Sequence, residues 1–122
     1  LKDASILPIA GLYNYSPFPD VETGESKGTF TMLTRKSNEL LTDIHNSGDN
    51  KHRMPLMFQK EQILEWLHPN LSDAAMQGMM EYEYPADKLE AWPVKKIRGI
   101  KDDDESVITP IELPPQQSAL FG

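Results

Sequence analysis

No cysteine occurs among the 122 residues, and that absence removes more chemistry than any other. A disulfide framework, a thiolate metal site and a thiol nucleophile are all excluded from this chain. Long apolar runs are missing as well. None approaches the ~20 residues that a membrane-crossing helix needs, so no membrane association is expected. The first residues, LKDASILPIAG, carry neither a basic leader nor a long apolar stretch, which gives no sign of a secretory signal. The chain begins at Leu1 without a methionine, as a fragment or a processed product would. Positive charge is scarce: 12 Lys and Arg stand against 19 Asp and Glu, for a net charge of −7. This balance favours solubility and opposes general attraction to a phosphate backbone. Any contact with nucleic acid must therefore rest on a local basic patch or on residues outside the chain. A glycine-rich phosphate loop, a Ser-His-Asp arrangement and paired carboxylates with a defined partner are also missing. No cofactor is expected, and the lack of thiols suits a reducing, cytoplasmic compartment.

What remains is ordinary material for a small folded chain. Hydrophobic residues make up 39% and charged residues 25%. The length fits one domain with a modest core, and ten prolines imply many turns and edges. Ile6 to Tyr15 is β-branched and aromatic and reads as a buried strand interrupted by Pro8 and Gly11. Ser16 to Lys27 reads as an exposed hairpin-like loop, with Thr29 to Thr34 as the returning strand. Leu40, Leu41 and Ile44 share one face of a helix predicted over Arg35 to His45, with Thr34 or Ser37 as its cap. Arg53 to Phe58 reads as a short strand. Gln59 to Leu67 reads as an amphipathic helix stopped by His68-Pro69, and Asn70 to Met80 as another, capped by Ser72. Leu89 to Ile97 is expected as an edge strand, Val107 to Leu113 as a last strand, and Pro114 onward as a loose tail. The fold class expected is α+β: a mixed, barrel-like sheet with short peripheral helices.

The segment Thr34 to Met57 is the most informative. Thr34 precedes Asn38-Glu39-Leu40-Leu41, then Asp43-Ile44-His45, then Arg53-Met54-Pro55-Leu56. Trp66-Leu67 and Trp92-Pro93-Val94, ahead of a basic turn with Gly99, complete a pattern that covers most of the chain. This pattern resembles the SRAP family, the SOS-response-associated peptidase-like proteins that process abasic sites in DNA. The combination of Ile-His with a downstream Arg-Met-Pro is the more specific part. The resemblance implies that residues 1–122 form the C-terminal part of a single, incomplete SRAP-like domain. It further implies a protein that binds single-stranded DNA and cross-links abasic sites through an N-terminal cysteine, with autopeptidase activity as a companion. That cysteine's amine and thiolate would close a thiazolidine ring on the open sugar's aldehyde, assisted by a glutamate and a histidine. Neither the cysteine nor the ring it closes can come from this chain.

His45 matches the family histidine and is the candidate acid or base for opening the sugar. On pattern alone it reads as a helix C-terminal histidine facing free carbonyls. Arg53 is the candidate phosphate ligand, with a structural salt bridge as its plain alternative. Thr34 and Asn38 are candidate DNA contacts whose commoner roles are capping and local backbone satisfaction. Lys95, Lys96 and Arg98, with Lys101 nearby, form the densest basic patch and are candidate DNA contacts beside Trp92 as a stacking surface. The run Asp102 to Glu105 opposes that field. His45, His52 and His68 lack the tight spacing of a zinc site, so no metal is expected. The partners expected are single-stranded DNA carrying abasic sites, in the intact protein, and a second chain over any exposed strand edges. If the source is bacterial, association with the nucleoid follows. The competing reading is a non-catalytic remnant or interaction module that keeps the second half of the fold.

Overall fold

A computed structural model describes residues 1–2, 6–100 and 104–113. Lys101, Asp102, Asp103 and the expected tail from Pro114 lie outside the described residues. The first element is an antiparallel hairpin of β1 (Gly11–Tyr15) and β2 (Gly28–Met32). Its turn is built locally by Asp20, whose carboxylate accepts from the backbone N–H of Glu22 and of Thr23, each at 2.9 Å. These bonds hold the Asp20 carboxyl below its ordinary value, those from Thr23 most strongly. The expected pair of strands is present, but β1 is not buried: every residue of both strands is exposed.

A second antiparallel pair, β3 (Thr34–Lys36) with β4 (Arg53–Pro55), brackets the helix α1 (Glu39–Ile44). Helix α2 (Lys60–Trp66) and helix α3 (Asp73–Met80) follow, then 3₁₀ turns at Ala86–Lys88 and Glu105–Ile108. As expected, α2 ends before His68-Pro69, and the Ser72 hydroxyl caps α3 by accepting from the Ala75 N–H at 3.2 Å. Helix α1 starts later than its periodicity suggests. Arg35 and Lys36 belong to β3, and the cap is Asn38, whose Oδ1 accepts from the Leu41 N–H at 3.0 Å. The caps expected at Thr34 or Ser37 are thereby corrected. Thr34 opens a strand, and the buried Ser37 hydroxyl lies 2.7 Å from that of Thr42.

The barrel-like sheet is also corrected. Among the described residues there are two separate two-stranded sheets and no closed barrel. Backbone bonds from Ala10 to Leu56, Leu33 to Ala10 and Leu56 to Leu33 tie the region where the sheets meet, at 2.8, 3.0 and 2.9 Å. Leu33 lies between β2 and β3, so one extended stretch serves both sheets without laddering through. The strand expected at Leu89 to Ile97 does not form. Pro93 has no N–H to offer, and Trp92 instead donates through Nε1 to the Ile108 carbonyl at 2.8 Å. The last strand gives way to the 3₁₀ turn at Glu105–Ile108, where the Asp104 carboxylate accepts from the Ser106 N–H at 3.0 Å.

Two small apolar clusters hold these pieces. Ala10, Leu56, Phe58 and Met79 pack with Leu33, Trp66, Leu71 and Tyr82. Met54, Met57 and Tyr84 pack with Leu1, Leu41 and Leu89, and Tyr82 touches both clusters. The run Met54 to Phe58 thus supplies most of the interior. The Trp66 and Phe58 rings meet at 5.3 Å, a contact that adds to simple burial.

Candidate functional site

The end of α1 and the start of β4 meet at His45. Its backbone N–H donates to Leu41 at 2.9 Å, closing the helix, and its carbonyl accepts from the His52 N–H at 2.7 Å. The imidazole Nδ1 lies 2.9 Å from the Arg53 carbonyl oxygen. A carbonyl can only accept, so Nδ1 carries the proton and the neutral ring has its lone pair on Nε2. The side chain is exposed. One ring nitrogen is thus fixed by the fold, and the other is able to take up or release a proton.

Arg53 continues the site. Its Nη2 donates to the carbonyl and the hydroxyl of Thr34, at 2.8 and 2.9 Å. The structural salt bridge weighed for Arg53 is not present among the described residues. Thr34 and Arg53 are therefore brought together, with His45 joined to them through the Arg53 main chain. Both line a cleft of about 400 Å³ that also includes Arg35, Lys36, Gln77, Met80 and Glu81. Arg35 is committed to structure: Nη1 donates to the Glu81 carbonyl at the end of α3, and Nη2 reaches the Glu83 carboxylate at 3.2 Å.

Asn38 sits elsewhere. It is 2% exposed, and its Nδ2 donates to the Tyr84 carbonyl at 2.8 Å while Oδ1 caps α1. Its own N–H points at the Met54 sulfur, 3.1 Å away. These bonds hold α1 on the core. The basic stretch is mixed: Lys96 and Arg98 are exposed, whereas Lys95 pairs with Asp104 at 3.5 Å and also donates to the Ser106 hydroxyl. Bonds from Ser106, then the nearby Lys95 charge, pull the Asp104 carboxyl below its ordinary range. Among the described residues no group of three or more His, Asp or Glu is placed to hold a metal. His68 Nδ1 accepts from the Asn70 N–H at 3.2 Å. His52 adopts φ 59°, and its Nδ1 is buried without a partner among the described residues.

Lys36, absent from the candidates that the sequence pattern suggests, also borders this cleft. The period-2 pattern Thr34-Arg35-Lys36 is the signal that puts it on the face of Thr34, and the helical periodicity beginning at Leu40 masks it.

The model of the SRAP family, described as SOS response associated peptidase, matches residues 1–98. The chain is 34% identical over 97 residues to the abasic site processing protein YoqW of Bacillus subtilis, covering 80% of this chain and 39% of that protein. Similarity to YobE of the same organism is 33% over 97 residues, with 80% and 40% covered. A crystal structure of a protein from Bacteroides thetaiotaomicron superposes with a TM-score of 0.75 at 28% identity, over 91% of this chain and 46% of that one. The chain spans about two fifths of the length of the curated relatives it matches. No helix among the described residues is long and apolar enough to cross a membrane. Taken with the fold likeness, the family match over residues 1–98 establishes that this chain belongs to the SRAP family.

Proposed function

We propose that this chain forms the C-terminal part of an SRAP-like domain that binds single-stranded DNA and processes abasic sites in it. The observation that carries the reading is the 2.9 Å contact from His45 Nδ1 to the Arg53 carbonyl. It leaves Nε2 free for proton transfer and ties the imidazole to a strand whose arginine faces a cleft. In this reading His45 moves a proton at the sugar as its ring opens to the aldehyde. Arg53, steadied by Thr34, holds a flanking phosphate. Lys96 and Arg98 track the strand further along, with Lys95 joining when Asp104 releases it. The lesion's aldehyde is captured by the paired amine and thiolate of an N-terminal cysteine, a residue type absent from these 122 residues. The amine condenses with the aldehyde, expelling water, and the thiolate adds to the resulting imine carbon to close the ring. Autopeptidase action belongs to the same proposal, as does a cytoplasmic or nucleoid location.

A second reading, as an interaction module, draws support from the first hairpin. Tyr13 and Phe30 face each other across β1 and β2 and are 78% and 89% exposed. We take the partner of this surface to be the polypeptide that completes the domain, consistent with the two-fifths span.

The test is a denaturing-gel assay with single-stranded DNA bearing an abasic site. The 122-residue chain alone should form no covalent adduct. In a full-length protein carrying this segment, His45→Ala should slow adduct formation by about 10²–10⁴-fold, the usual worth of a positioned acid or base. An unchanged rate removes His45 from the chemistry, and an adduct formed by the chain alone refutes the assignment of the nucleophile.

A further inference from the structure

Strands β3 and β4 set two cations face to face. Their register places Lys36 opposite Arg53 and Thr34 opposite Pro55. By the alternation of strands these four side chains leave the β3–β4 pair on one face, and Arg35 and Met54 on the other. Directly opposed like charges are destabilising, because their Cβ atoms are only about 4.5–5.5 Å apart. A carboxylate is the common relief. Among the described residues, the ion pairs are Arg35 with Glu83 and Lys95 with Asp104, so Lys36 and Arg53 have none. Arg53 is also held from swinging away, since its Nη2 donates to both the carbonyl and the hydroxyl of Thr34. Three N–H groups of the guanidinium, on Nε and Nη1, remain for a ligand.

Both cations border the cleft of about 400 Å³, and both are exposed. Glu81 is the acidic residue on the same wall, and it pairs with neither of them. Two opposed cations in a chain of net charge −7 are a local exception that an anion would relieve. We propose that Lys36 is a second phosphate-binding residue, which with Arg53 grips one phosphodiester of a single-stranded DNA backbone from two sides. Arg53 supplies directional donors and Lys36 a mobile point charge. The bound phosphate converts the Lys36–Arg53 repulsion into two attractions. This inference rests on the reading of the chain as a binder of single-stranded DNA.

The experiment uses the whole 122-residue chain, wild type, Lys36→Gln and Lys36→Arg. Fluorescence anisotropy follows binding of a labelled oligothymidylate of ~12 nucleotides, within the range such sites cover, across about 50 to 200 mM NaCl. Lys36→Gln should bind several-fold more weakly at low salt, by a factor that narrows as the salt concentration rises and screens the lost charge. Lys36→Arg should restore wild-type binding. A second readout needs no DNA: inorganic phosphate should raise the melting temperature of the wild type above that in chloride at equal ionic strength, and should not do so for Lys36→Gln. Binding by Lys36→Gln with wild-type affinity across the salt range overturns this proposal alone. Failure of the wild-type chain to bind the oligonucleotide at all overturns both this proposal and the reading beneath it.

Discussion

His45 and Arg53 are joined ring to backbone: the imidazole Nδ1 donates across 2.9 Å to the Arg53 carbonyl. One bond therefore sets the tautomer of the histidine and couples its orientation to the strand that carries the arginine. Nitrogen-detected NMR of the neutral ring should show the Nδ1–H form as the major tautomer for His45. Dominance of the Nε2–H form would mean that the bond is not kept in solution.

Asn38 bridges the cap of α1 and the carbonyl of Tyr84 from a site 2% exposed. Asn38→Ala removes a helix cap and leaves the Tyr84 carbonyl without this donor. The expected loss is about 2–3 kcal/mol, combining the cap and the buried hydrogen bond. Urea unfolding checks it; a loss below about 0.5 kcal/mol would show that the buried amide is dispensable.

Asp104 neutralises Lys95 at 3.5 Å. Asp104→Asn should therefore free that lysine and tighten binding of single-stranded oligonucleotides, with a steeper salt dependence. Anisotropy at two salt concentrations measures both effects. Weaker binding would mean that the turn at Glu105–Ile108, and not the charge, matters to the surface.

The Asp20 carboxyl is held below its ordinary value by the Thr23 and Glu22 amides. A group with a depressed folded value stabilises the fold above its unfolded value, and that contribution fades as pH falls through the folded one. The hairpin turn should therefore persist at neutral pH and loosen on acidification below about 4, the ordinary aspartate range. The Glu22 and Thr23 amide resonances should shift together in that window, and Asp20→Asn should abolish the transition.

Gly11 leaves no space for a side chain: a Cβ there would stand 2.8 Å from the Thr31 carbonyl oxygen of the facing strand. Gly11→Ala should push β1 from β2 and destabilise the chain by about 1–3 kcal/mol, the range for overpacking. Phe30→Lys, on the same hairpin but 89% exposed, should leave stability nearly unchanged in the same urea unfolding measurement. Equal effects of the two substitutions on stability would contradict the packing described.

Several elements were legible because their causes are local. Ser72 precedes an apolar-periodic run with Asp73 in its first turn, so the start of α3 was readable, and His68-Pro69 marked the end of α2. The loop at Asp20 announced itself through proline, glycine and charge. By contrast, the start of α1 is not legible, because Arg35 and Lys36 are compatible with a helix by propensity. They became a strand only because residues 53–55 lie beside them. The segment around Trp92 has strand-like composition, yet it found a carbonyl at Ile108 for its indole and no ladder for its backbone.

Composition alone settled that no thiol chemistry resides in these residues, since cysteine is absent. Local pattern alone gave the hairpin and three amphipathic or capped helices, and the family resemblance added the candidacy of His45. Which donors meet which acceptors was decided only in three dimensions. Arg53 reaches Thr34 across 19 positions of sequence, Asn38 reaches Tyr84 across 46, and Lys36 faces Arg53 through strand register. Those pairings depend on how Met54 and Leu56 seat in the core, and burial is a property of the whole packed chain that no short window encodes.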